Sequence, residues 1–183
     1  MKSRETGKRG LLRLRRRRLI HLSFIFAGAA LNLLPRRLVF LLLLACDVAG
    51  FGGRRRLENA YQPYVVAFLA DHPDGLFAGR WGRRLPMQSA RVLVGIGAYR
   101  EACELISNEG LVIRSTETTS LLGRALFELG EFKEARNAVS VWASGVELQH
   151  EPPLGLLKSM LDIIDGDEAA ALRSMAGASR GMP

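Results

Sequence analysis

Residues 121–139, LLGRALFELGEFKEARNAV, place one glycine between two amphipathic patterns, and this constrains the chain more than any other stretch. Leu121, Leu122, Ala125, Leu126 and Leu129 precede Gly130, and Phe132, Ala135 and Val139 follow it. Apolar residues at i, i+3 and i+4 form the stripe that an α-helix buries along one face. A glycine at the junction reaches the left-handed backbone conformation that ends a helix and turns the chain. The stretch therefore predicts a helix, a tight bend and a second helix returning along the first.

The same order recurs. In VGIGAYREACELI, residues 94–106, Gly97, Tyr99, Ala102 and Ile106 stand 33 positions before Gly130, Phe132, Ala135 and Val139. In DIIDGDEAAALRS, residues 162–174, Asp165 beside Gly166 takes the turn 35 positions after Gly130, with Ala170 at the small position. In that register Leu93, Leu126 and Leu161 coincide, as do Ala90, Gly123 and Lys158. The middle copy, with Leu122-Gly123, Gly130, Phe132 and Ala135, resembles the tetratricopeptide repeat, a helix–turn–helix unit of about 34 residues. It departs from that pattern at Trp142, where the family prefers alanine; the first copy has Ser89-Ala90 for Leu-Gly, and the third has Lys158 and Asp167 at a small and an aromatic position. The resemblance implies an all-α fold: a short α-solenoid of antiparallel hairpins over residues 85–178, with a tail at 179–183. It also implies a scaffold that presents a groove to a protein or peptide partner. The polar positions of the first helices, Gln88, Arg91, Ser120, Arg124, Glu128 and Lys158, are the candidate groove residues. Arg91 and Arg124 fall one repeat apart, a spacing suited to a partner bearing carboxylates or phosphates. Three hairpins leave their end faces open, so self-association is a further expectation.

Charge divides the chain elsewhere. Residues 1–56 hold 14 of the 26 Lys and Arg but only two acids, Glu5 and Asp47, a net +12; residues 57–183 carry −4. The first segment reads as a basic, hydrophobic helical leader. RLRRRR precedes one apolar run of about 16 residues, Pro35-Arg36-Arg37 interrupts, and a second run ends at Arg54-Arg55-Arg56. Proline breaks a continuous helix, and each run is shorter than the roughly 20 residues that cross a bilayer. Two short helices at a membrane interface fit best, with Arg15, Arg16, Arg17, Arg18, Arg36, Arg37, Arg54, Arg55 and Arg56 as candidate contacts to anionic headgroups. The alternatives are that these helices pack into the solenoid, or that LLAC, residues 43–46, is a bacterial lipobox with Cys46 lipidated. Nucleic acid is disfavoured because no stacking aromatics lie among the arginines. Residues 57–84 read as a helix and a Gly/Pro-rich linker, Pro86 as a helix start, and Gly50 as the bend of a weaker fourth hairpin.

Catalytic motifs are absent from the sequence. It has no GxxxxGK[ST], HExxH or GxSxG. Cys46 and Cys103 lie far apart, and His21, His72 and His150 are scattered. The acids Asp162, Asp165, Asp167 and Glu168 gather at a helix corner, where exposed carboxylates are common. A non-enzymatic adaptor without metal or cofactor is expected, attached to the cytoplasmic side of a membrane, with a soluble cytoplasmic protein as the alternative. A looser likeness to the front end of bacterial cell-surface polysaccharide glycosyltransferases implies a second expectation, an accessory part of such a system.

Overall fold

Glycine closes four helices in the same way. Gly50, Gly97, Gly130 and Gly166 have φ of 65°, 85°, 78° and 77°. At each, the following N–H donates five residues back and the glycine N–H three residues back. Examples are Ala98 N–H to the Leu93 carbonyl (2.9 Å) and Glu131 N–H to the Leu126 carbonyl (2.9 Å). This double bond pattern satisfies the last carbonyls of a helix and reverses the chain.

The computed structural model describes residues 22–71, 77–108, 115–143 and 152–180. It is all-α, with no strand among those residues. Two compact units divide the chain, Met1–Gly75 and Leu76–Pro183. In the first, α1 is helical over 22–32, α2 is Arg36–Val48 and α3 is Arg54–Asp71. In the second, α4 is Gly79–Arg84, α5 Pro86–Ile96, α6 Tyr99–Asn108, α7 Thr116–Glu128, α8 Phe132–Ala143, α9 Pro152–Ile164 and α10 Glu168–Arg180.

Within the first unit, Pro35 precedes α2 and separates it from α1, as its fixed φ and missing N–H require. The inner faces of α1 and α2 bury Leu31, Val39, Phe40 and Leu43, and α3 buries Tyr61 and Val65. The bend at Gly50 forms as expected. The expected boundary between residues 56 and 57 does not hold, because α3 runs continuously from Arg54 to Asp71. α1 and α3 meet at Gly28, where a Cβ would stand 2.4 Å from the Ala60 carbonyl oxygen, so only glycine permits the approach.

The second unit pairs α5 with α6, α7 with α8 and α9 with α10. α7 also touches α5, α6 and α9, and α8 touches α9. One apolar cluster runs through these helices from Ala90 and Ile106, past Leu122 and Val139, to Leu157 and Leu161. Full burial of each leucine is worth about 1.5–3 kcal/mol, so this continuity carries most of the unit's stability. Ala102, Ala135 and Ala171, each five residues after a bend glycine, are buried. Their small side chains let paired helices approach.

Three expectations are corrected here. The third bend is at Gly166, since glycine and not Asp165 takes the left-handed conformation. The third register therefore moves by one residue: Ser159, 3% exposed, matches Gly123, and Ala171 replaces Ala170. Lys158 accordingly does not occupy the small position. Residues 79–84, expected as linker, form α4. Its start is held by Glu101 on α6, which accepts from Phe77 N–H (3.0 and 2.8 Å) and Ala78 N–H (2.7 Å). At the start of α7, Ser115 accepts from Thr118 N–H (3.2 Å) and caps the helix.

Two tests follow from these contacts. A Cβ on Gly123 would lie 2.6 Å from Leu157 Cδ2 and 3.3 Å from Val139 Cγ2, whereas one on Gly130 meets nothing within 4 Å. Gly123→Val is expected to cost about 1–3 kcal/mol through overpacking. Gly130→Ala costs about 1–2 kcal/mol through backbone strain alone, and urea denaturation measures both. Glu101→Ala strips acceptors from the start of α4 and is expected to cost about 1–3 kcal/mol. Burial, partly opposed by the Phe77 and Ala78 N–H bonds, holds the Glu101 carboxyl above its ordinary pKa. The folded state then binds this proton more tightly than the unfolded chain, so the contribution is full below the ordinary glutamate range and fades as pH rises through the raised value. Denaturation midpoints of the native protein between pH 4 and 7 should show a fall with pH that Glu101→Gln lacks.

Candidate functional site

Two surfaces remain open once the helices are packed, one on each unit. On the second unit, α5 carries Gln88 and Arg91, α7 carries Ser120, Arg124 and Glu128, and α9 carries Lys158. Because α7 touches both α5 and α9, these helices lie side by side, and exposed residues occur on α7 and α9 but not on α5. Gln88 and Ser120 are half-buried; Arg124 and Glu128 are exposed.

Two of the candidate cations already have structural partners. Arg91 donates to Glu117 in a bidentate pair along one guanidinium edge, Nε to Oε1 at 2.5 Å and Nη2 to Oε2 at 2.8 Å. Both side chains are partly solvated, so the pair is worth under about 1 kcal/mol and opens at little cost. Lys158 donates to Asp162 Oδ2 (2.9 Å) and to Ser174 Oγ (3.2 Å), tying α9 to α10. Arg124 is the exposed cation at the centre of the face.

The residues on α9 at the register of Ser120, Arg124 and Glu128 are Leu156, Met160 and Ile164, since the bends are 36 residues apart. They are 40%, 44% and 46% exposed. Sequence reasoning missed them because the one-residue error in register set Gly155, Ser159 and Ile163 against Ser120, Arg124 and Glu128, and Lys158 against Gly123. The signal was present: Leu156, Met160, Ile163 and Ile164 form a second apolar stripe beside Leu154, Leu157 and Leu161.

The first unit presents the other surface. Arg15, Arg16, Arg17 and Arg18 lie outside the described residues. Arg36, Arg37, Arg55 and Arg56 are exposed. The Arg36 guanidinium lies 3.1 Å above the centre of the Phe68 ring, and Arg56 lies 5.7 Å from that of Phe24. Arg54 departs from the expectation: it pairs with Asp47 and lies 3.4 Å from Glu58 Oε1, all three largely buried. A buried cation between two buried carboxylates stabilises the fold's interior and is not available to a headgroup.

Outer-facing apolar residues dominate the rest of this unit. Phe26 is 72% and Leu33 86% exposed, and Leu22, Ile25, Leu38, Leu42 and Val48 are exposed as well. Between them lies a groove of about 420 Å³ lined by Ala27, Ala30, Leu31, Leu34, Leu42 and Leu57. Among the described residues no helix is long and apolar enough to cross a membrane.

Other chemistry-bearing groups are committed locally. Asp162 is held by Lys158, Asp165 pairs with Arg136, and Asp167 accepts from Ala170 N–H (2.8 Å). No group of three potential metal ligands occurs among the described residues. His21, His72 and His150 lie outside them. Cys46 is half-buried in the last turn of α2. Burial first, then Glu131 and Glu104, push the Cys103 thiol up to about 11, so it stays protonated and unreactive near neutrality. A cleft of about 630 Å³ between α4 and α6 is lined by Arg80, Arg83, Glu101 and Glu104, whose charges cancel. No protein-family model, curated protein or solved structure matches the chain.

Proposed function

We propose that the protein is a non-enzymatic adaptor: a short solenoid of tetratricopeptide type that holds a protein segment on its first-helix face and is attached to a membrane surface by its N-terminal unit. The observation that carries the reading is the shared register of α5, α7 and α9. Each precedes a left-handed glycine with the same pair of hydrogen bonds, and the equivalent stripe is half-buried on α5 (Met87, Arg91, Gly95) and mostly exposed on α7 and α9. Repeated hairpins stack because no single hairpin can bury its own apolar face. The stripes left over form a surface at regular spacing.

The chemistry of that surface selects its occupant. α7 offers Arg124 and α9 offers Leu156, Met160 and Ile164, so the face is cationic in one row and apolar in the next. Packed helices lie about 8–10 Å apart, and an extended peptide advances about 3.3 Å per residue. A segment carrying an acid about three residues from an apolar anchor spans the two rows. Methionine on the apolar row adapts to side chains of different shape.

Fluorescence anisotropy on the full chain tests this, with a labelled peptide carrying two leucines three residues before a glutamate. Arg124→Glu is expected to weaken binding about tenfold or more, as loss of a charge-assisted hydrogen bond does, and a peptide with lysine for glutamate should restore it. Met160→Glu should weaken both peptides. Equal affinity across all four combinations would sink the proposed face.

A further inference from the structure

We propose that the groove of the first unit takes one acyl chain of an anionic membrane phospholipid, with the exposed arginines beside it engaging the phosphate. This rests on the membrane attachment proposed above and assigns the surface that makes it.

The groove is built for a hydrocarbon occupant. Each of its lining residues is Ala or Leu. A water molecule needs two to four polar partners to sit in a cavity, and these side chains provide none. Ala27 and Ala30 bring no bulk into the space, Leu34 contributes from the turn between α1 and α2, and Leu42 and Leu57 contribute from α2 and α3. Gly28 sets α1 directly against the α3 backbone at Ala60. Leu34 and Leu42 are also 45% and 46% exposed, so the groove continues into the apolar surface around it. Soluble proteins rarely leave so much contiguous apolar surface to water.

Charge selects an anionic lipid. Arg36 and Arg37 stand two and three positions after Leu34, and Arg55 and Arg56 immediately precede Leu57. All four are exposed, and Asp71 is the one exposed acid among the described residues of this unit. Asp47 and Glu58 are turned inward on Arg54, a cluster whose net charge of −1 leaves the four exposed arginines in excess. Filling the groove takes its apolar lining out of water, worth about 25 cal/mol per Å², and the surface arginines add electrostatic attraction to anionic headgroups, so the two contacts act together in attachment.

Flotation of the full chain with phosphatidylglycerol-containing vesicles and with pure phosphatidylcholine vesicles tests attachment. Phosphate analysis and native mass spectrometry of the detergent-purified full chain test the groove. Expected are flotation with the anionic vesicles, reduced about tenfold or more in Ala30→Trp at unchanged circular dichroism, and about one phospholipid retained per native chain. Arg37→Glu with Arg55→Glu should abolish the preference for anionic vesicles. Failure of the native chain to float would overturn the membrane reading and this proposal together. Flotation by both native and Ala30→Trp chains, with no phospholipid retained by the native chain, would overturn the groove alone. Retention of a free fatty acid in place of phospholipid, or a dimer that Ala30→Trp converts to monomer, would assign the groove to another occupant and overturn the proposal. Because lipid retention is measured on the native chain, it decides even where Ala30→Trp does not fold.

Discussion

Helix ends fix register, and register decides which side chains are left facing outward. A helix ended by a left-handed glycine stops at a defined residue, because the two hydrogen bonds across the bend allow no slippage. In the second unit this happens at Gly97, Gly130 and Gly166. The small residue five positions later then falls inside the pair each time, as Ala102, Ala135 or Ala171. Gly123 meets Leu157 and Val139 at the same depth, which joins one hairpin to the next. Moving any bend by one residue would rotate the following helix by about 100°, exchanging its buried stripe for its exposed one.

This rotation explains what was legible in the sequence and what was not. The all-α fold, the bends at Gly50, Gly97 and Gly130 and the break at Pro35 could be read from residue types, because each rests on local backbone chemistry. The third bend offered Asp165 and Gly166 side by side, and the choice between them shifts Lys158 into or out of the row of Gly123. Local strain settles it for glycine, but the repeat spacing does not, since 35 and 36 residues are both near the period. α4 was missed for a different reason. Its six residues contain two glycines and have little helix propensity of their own. A carboxylate 22 residues beyond Gly79, Glu101, supplies the acceptors its first N–H groups need.

Charge was legible only in total. Arg54, Arg55 and Arg56 are three identical letters in a row, and the helix sends them to different places. Arg54 turns inward onto Asp47 and Glu58, while Arg55 and Arg56 stay in solvent. Successive helical residues point about 100° apart, so a run of three cannot share one environment. A buried carboxylate without a cation would be costly, and the first arginine of the run meets that need. The same reasoning separates Arg91, held by Glu117, from Arg124, its equivalent one hairpin later. Their equal spacing does not give them equal availability.

The helices of the first unit pose the sharper physical problem, because they are apolar on more than one side. A helix that is hydrophobic all round is buried on all sides or lies against lipid. α3 covers one side of α1 and α2, and the opposite side, from Ile25 and Phe26 to Leu38 and Leu42, stays open. Lengthening the apolar runs to cross a bilayer is prevented by Pro35 and by the arginines that bracket each run. In the proposed attachment those arginines would also limit depth, since guanidinium groups hold to a headgroup layer while apolar side chains between them sink. The apolar outer side and the exposed arginines of this three-helix unit are therefore the grounds on which interfacial attachment to an anionic membrane is proposed.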